Sequence, residues 1–110
     1  MGGKLYLGEL EHIVMAAALR LDGEAYGARI IQEIEDATGT RVKSGSLYVT
    51  LDRLESKGYV TSRVADPEPG RGGRPKRYMT VTPEGLRMLK AAREAMLTIW
   101  QGLESRLEKA

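Results

Sequence analysis

The sequence predicts a mainly α-helical fold that carries one small β-hairpin and closes with a long helix. Three observations support this. Apolar residues recur at helical spacing in four stretches, two β-branched and aromatic runs flank a segment dense in glycine and proline, and none of the 110 residues is Phe. A core without Phe is built from Leu, Ile, Val, Ala and Met, which favours packed helices over a β-sandwich.

The first helix is expected from about Gly8 to Leu21, with Leu10, Ile13, Val14, Ala17 and Leu21 on one face and Met15, Ala18 and Leu19 widening it. An apolar belt that wide needs partners on two sides. Asp22-Gly23-Glu24 makes a turn, and a second helix follows from about Ala25 to Thr38, with Ile30, Ile31, Ile34 and Ala37 inward and Gly39 as its stop. After Thr40 to Lys43 comes a third helix, in which Leu47, Leu51 and Leu54 recur at i, i+4 and i+7. Ser44 or Ser46 caps its start, and Gly58 supplies the left-handed stop.

Tyr59 to Val64 and Lys76 to Thr82 read as paired strands, and the segment Asp66 to Pro75 between them as an arginine-studded hairpin tip. Thr82-Pro83-Glu84-Gly85 places an N-cap before a proline at the first helical position and opens the last helix. If that helix runs for roughly 25 residues at about 1.5 Å each, it reaches about 40 Å, more than so small a domain can cover. The order is that of a winged helix-turn-helix, residues 1–82, followed by an association helix, residues 83–110, in one compact unit.

Charge is unevenly placed. The whole chain carries only +2, but residues 1–40 hold three bases against seven acids and residues 41–82 nine bases against four. Local clusters of Lys and Arg, rather than the total, set affinity for a polyanion, so the second segment points to nucleic acid, and double-stranded DNA is the expected partner. In and before the third helix, Lys43, Ser44, Ser46, Tyr48, Thr50 and Arg53 form the expected groove-facing set, with Lys57 as a further phosphate contact. Arg71, Arg74, Lys76 and Arg77 would follow a minor groove or its flanking phosphates. The bland alternatives are that the serines only cap, Tyr48 packs on the second helix, Arg53 pairs with Asp52 or Glu55, and the basic loop is merely exposed.

Along the last helix, Leu89, Met96 and Leu103 recur every seven residues, and Leu86, Trp100 and Leu107 make a parallel stripe that Arg93 interrupts. Such stripes are association seams, and Leu10 and Val14 of the first helix are expected to join this one in a homodimer. A two-fold dimer would hold its third helices about 34 Å apart and read a roughly palindromic site.

Other chemistries find little support. Zero cysteines exclude disulfides and thiolate metal sites, and His12 has no second His to complete a metal set. No serine sits in a nucleophile elbow. Gly70 to Gly73 precedes a strand rather than a helix, without the Gly-Lys-Ser/Thr of a nucleotide loop. No enzyme activity, cofactor, metal or membrane partner is expected, and the cytoplasm is the expected location.

Four segments in order carry a family resemblance: Leu7-Gly8-Glu9-Leu10-Glu11, Ala25-Tyr26-Gly27-Ala28-Arg29-Ile30, Ser44-Gly45-Ser46-Leu47-Tyr48 with Leu51, Arg53, Leu54, Glu55, Gly58 and Tyr59, and Arg74 to Tyr78 followed by Thr82-Pro83-Glu84-Gly85. Together they resemble the PadR family of bacterial transcription regulators over nearly the whole chain. A single C-terminal helix is similar to the short subfamily, and Val49 stands where many relatives place proline. The resemblance implies a DNA-binding transcription regulator, more often a repressor than an activator. It also implies that Tyr26 either touches phosphate or packs half-buried. Related short regulators bind planar aromatic compounds at the dimer interface, which here would place Met15, Met96, Ile99 and Trp100 around a small aromatic effector; the alternative makes Trp100 a packing anchor. The runner-up function is a winged helix used as a protein-interaction module.

Overall fold

A computed structural model describes residues 7–65 and 75–110. Its elements run α1 (Glu9–Leu21), α2 (Gly27–Thr38), α3 (Ser44–Ser56), β1 (Val60–Ala65), β2 (Lys76–Val81), α4 (Pro83–Trp100) and α5 (Glu104–Leu107). The core lies where α1, α2 and α3 meet the root of the hairpin. Val14, Met15, Ala25, Ile30, Leu47 and Leu54 are fully buried there, with Leu51, Val60 and Met79 nearly so.

Helix α3 ends as its glycine predicts. Gly58 takes a φ of 80°, its N–H donates to Glu55 O, and the Tyr59 N–H donates to Leu54 O. That pair of bonds satisfies the last carbonyls and turns the chain directly into β1. The α4 start is fastened to the same corner. The Thr82 hydroxyl accepts from the Gly85 N–H at 3.0 Å and donates to Gly58 O at 2.7 Å, while the Thr82 N–H donates to Tyr59 O.

The antiparallel ladder pairs Val60 with Val81, Ser62 with Met79 and Val64 with Arg77. Residues two apart share a face. Val60 and Met79 face the core, and the hairpin projects from that root.

Three expectations need correction. Helix α2 begins at Gly27, because Ala25 and Tyr26 are extended and lie along β2: Ala25 O accepts from the Met79 N–H at 2.8 Å and Tyr26 bridges Tyr78. No serine side chain caps α3, whose N-cap is Lys43. The last helix is not continuous, since it stops at Trp100, turns through Gly102 at a φ of 85° and resumes only as the single turn of α5. The heptad stripe therefore breaks before Leu103 and Leu107. Even so, the radius of gyration is 16.1 Å, against about 13 Å for a globule of this length. The far part of α4 and α5 extends beyond the core.

A buried acid ties the start of α1 to the end of α3. Glu11 accepts from the Gly8 N–H at 2.9 Å and from Lys57 Nζ at 2.7 Å, with its side chain only 9% exposed. Burial pushes its carboxyl upward, but the Lys57 ammonium and the Gly8 N–H outweigh that and hold it below its ordinary 4.5. Glu11 thus adds stability above its ordinary range, which is lost as pH falls through the lowered folded value.

Two outcomes follow from this packing. Lys57→Met strands a buried carboxylate and should cost about 3 kcal/mol near neutral pH, the low end for a broken buried pair because Lys57 is itself a third exposed, and the gap to wild type in urea unfolding should close as pH falls through the lowered folded value of Glu11. A Cβ at Gly85 would collide with the Tyr59 carbonyl, so Gly85→Ala should lose stability near the top of the ~1–3 kcal/mol range for overpacking, measured the same way.

Candidate nucleic-acid interface

Helix α3 turns its leucines and Thr50 inward and leaves Ser44, Ser46, Tyr48, Val49 and Arg53 exposed. The first turn has no side-chain cap, so among the described residues its backbone N–H groups are open to an anionic partner. Among the described residues, Lys43 and Arg53 make no ion pair.

Tyr26, Tyr48, Lys76 and Arg77 come together around an open cleft of about 370 Å³ between the start of α2, α3 and the base of the hairpin. Tyr48 crosses from α3 onto α2 directly over Gly27, where a Cβ would meet its hydroxyl. Glycine at the first position of α2 is what permits that approach. Along the hairpin, cations and rings alternate. Arg63 sits 4.5 Å from the Tyr78 ring centroid, Tyr78 meets Tyr26 edge-on at 5.4 Å, and Lys76 Nζ lies 4.4 Å from the Tyr26 ring. Each such contact orients a cation without neutralising it.

The expected residues divide. Lys43, Ser44, Ser46, Tyr48 and Arg53 stand on the exposed side, and Tyr26 is half-buried beside them. Thr50 does not. It is 4% exposed and its hydroxyl donates to Ser46 O at 2.8 Å, so it belongs to the core side of α3. Lys57 is committed to Glu11, and Arg77 to Asp52 and Glu55. Arg71 and Arg74 lie outside the described residues. Two residues were missed by sequence reasoning. Val49 is 57% exposed on the outer face of α3, an apolar group of the kind that meets a thymine methyl, and Arg63 is held by Tyr78. Neither has a local signal, since an isolated apolar residue reads as core and a strand cation as solvated surface.

The expected seam also divides. Val14 and Met15 are fully buried and Leu89 nearly so, all within the domain's own core, while Leu10 is half-buried against it. Leu86, Met96, Ile99, Trp100, Leu103 and Leu107 are exposed, as is Leu97. An open cleft of about 470 Å³ at the α4–α5 turn is lined by Leu97, Trp100, Gln101, Glu104 and Leu107. Trp100 reaches it, but Met15, Met96 and Ile99 do not line it.

An exposed polar and cationic helix face flanked by an aromatic, basic hairpin defines a winged-helix DNA-binding domain. Residues 17–91 match the transcriptional regulator PadR-like family, and the chain belongs to that family. The transcriptional regulator Rv3488 of Mycobacterium tuberculosis is 40% identical over 87 residues, covering 77% of this chain and 72% of that protein. A PadR family transcription regulator from hypervirulent Clostridium difficile R20291 shares the fold, with a TM-score of 0.75 at 22% identity over 91% of this chain and 99% of that one. One from Eggerthella lenta DSM 2243 gives 0.70 at 28% identity over 93% and 88%. The chain is a DNA-binding transcription regulator rather than an enzyme. Among the described residues, no helix is long and apolar enough to cross a membrane.

The inward placement of Thr50 has a direct check. Thr50→Val should leave DNA affinity within about twofold, whereas Ser46→Ala, on the exposed face, should weaken it by about 1 kcal/mol or more if it reads a base edge, compared by fluorescence anisotropy on one duplex.

Proposed function

We propose that this regulator works as a homodimeric repressor that occupies a palindromic operator and thereby competes with transcription for the same DNA. The observation that carries this reading is the separation of two unlike surfaces on one small chain. The exposed face of α3, with Lys43, Ser44, Ser46, Tyr48, Val49 and Arg53, is polar and cationic, while the far end of α4 and α5 exposes Met96, Leu97, Ile99, Trp100, Leu103 and Leu107. An exposed apolar stretch of that size on a chain of 110 residues is typical of an association surface. Residues 83–110 would then pair with a second copy, with Leu86 and the half-buried Leu10 at the margin, and a two-fold axis there would present two α3 helices to successive major grooves.

Within each half, α3 supplies base contacts and the cleft by Tyr26, Tyr48 and Lys76 receives the phosphate backbone. The Arg63–Tyr78–Tyr26–Lys76 row supports this division, because it aims cations outward from a rigid base. Arg71 and Arg74, outside the described residues, add two further cations to the sequence between the two strands. The apolar cleft at Trp100 supports a second feature, accommodation of a planar aromatic effector beside the pairing surface, where it would alter the spacing of the two α3 helices.

The test combines sequence selection with hydrodynamics. Purified protein should enrich a palindromic motif from random duplexes, with a log affinity against log salt slope of about −0.9 per phosphate neutralised. It should sediment as a dimer, and Met96→Glu with Ile99→Glu should yield monomers that bind a half-site far more weakly. Enrichment of no motif, with salt-insensitive capture of a protein instead, would reject the reading.

A further inference from the structure

The sequence places Arg77 among the DNA contacts, but its guanidinium is taken up by acids of α3. Arg77 Nη1 lies 3.1 Å from Asp52 Oδ1 and Nη2 lies 2.5 Å from Glu55 Oε1. The Ser62 hydroxyl of β1 reaches the same Glu55 carboxylate at 3.1 and 3.0 Å. Both strands of the hairpin therefore grip one acid on the helix.

The ladder shows why this grip matters. At the Ser62–Met79 row, Met79 is 2% exposed and packs into the core. At the next row on the same face, Val64 opposite Arg77 is 66% exposed and gives no apolar packing onto α3. On that face the tether is the ion pair, while the opposite face of the hairpin is held by the Tyr78–Tyr26 contact. Asp52 and Glu55 are one helical turn apart, and a planar guanidinium bridging two such carboxylates fixes direction as well as distance.

We propose that Glu55 and Arg77, with Asp52 and Ser62 in support, form a positioning clamp that sets the tilt of the hairpin against α3. DNA affinity then depends on an acid that itself touches no DNA. The inference rests on the DNA-binding reading. Arg77 holds the Glu55 carboxyl below its ordinary value, with help from Ser62, as expected of a formed pair. The pair sits at the edge of the domain, half-buried with side-chain exposures of 31% and 38% but still in reach of solvent, and so contributes only modestly to stability. Its contribution is geometric.

The sign of one substitution separates clamp from contact. Simple electrostatics says that removing an acid near phosphates tightens binding or leaves it unchanged. The clamp says the reverse: in Glu55→Gln the hairpin loses its tilt and its own phosphate contacts weaken. Binding to a duplex selected from a random library by the wild-type protein should fall about tenfold, and the salt slope should shrink by about 0.9 for each hairpin phosphate lost. Arg77→Gln should give the same loss, and the double variant no more than either alone, since both remove one interaction. Ser62→Ala, which leaves every charge in place, should weaken binding about threefold and also lower the slope. Urea unfolding identifies folded variants, and should Glu55→Gln not fold, Ser62→Ala decides. Glu55→Gln, or in its place Ser62→Ala, binding as tightly as wild type with an unchanged slope would overturn the clamp. Wild-type protein that selects no duplex would instead overturn the DNA-binding reading beneath it.

Discussion

The three residues Lys57, Gly58 and Tyr59 are the constraint on which the rest of the structure depends. Lys57 is tied to Glu11 of α1, Gly58 ends α3 and offers its carbonyl to Thr82, and the Tyr59 backbone starts the turn into β1 while bonding the entrance of α4. Four elements are thereby fixed against one another within a few residues. Any rotation of α3 about its axis would have to break bonds to α1, β1 and α4 together. A small core benefits from such a junction, since a domain of this length buries a limited area. The face that α3 exposes is consequently set by its C-terminal corner rather than by contacts on the exposed face itself.

The charged residues of this half of the chain fall into two functional groups, and the division is physical. Lys57 and Arg77 are satisfied internally, each by an acid from another element, whereas Lys43 and Arg53 are unpaired among the described residues and Arg63 and Lys76 lie over aromatic rings. Carboxylates absorb the first pair, and π-faces leave the second with their charge available to a polyanion. Counting bases therefore overstates the surface offered to DNA. The aromatic support compensates in part, because a ring holds a long flexible side chain in place at little cost to its charge.

Much of the fold was legible because its signals are local. The Leu47, Leu51 and Leu54 stripe, the Gly58 stop and the Thr82-Pro83 start each depend on neighbours within one or two turns, and the structure keeps all three. What was not legible depends on partners far along the chain. Ala25 and Tyr26 read as helix, but β2, more than fifty residues later, recruits them into extended pairing. Lys57 and Arg77 read as free cations because their acids lie on other elements. Thr50 reads as polar surface, although its spacing from Leu47 and Leu54 puts it on the buried side, where its hydroxyl is satisfied by a carbonyl one turn back. The seven-residue repeat carries the eye through Gly102, but a glycine there lets the chain turn, and the turn is what opens the Trp100 cleft.

The extended segment at Ala25 and Tyr26 has a consequence for how copies of this chain coexist at high concentration. A hairpin standing out from a helical domain presents unpaired N–H and C=O groups along both its outer margins, a template onto which foreign strands can add. Here the margin of β2 is occupied at Tyr78 and Met79 by the protein's own backbone, leaving only the β1 side open at that level. That side carries the exposed Thr61 and Arg63, a hydroxyl and a positive charge that would stand against Arg63 of an identical strand added in register. The residues that anchor the start of α2 therefore also guard the sheet against edge-to-edge aggregation.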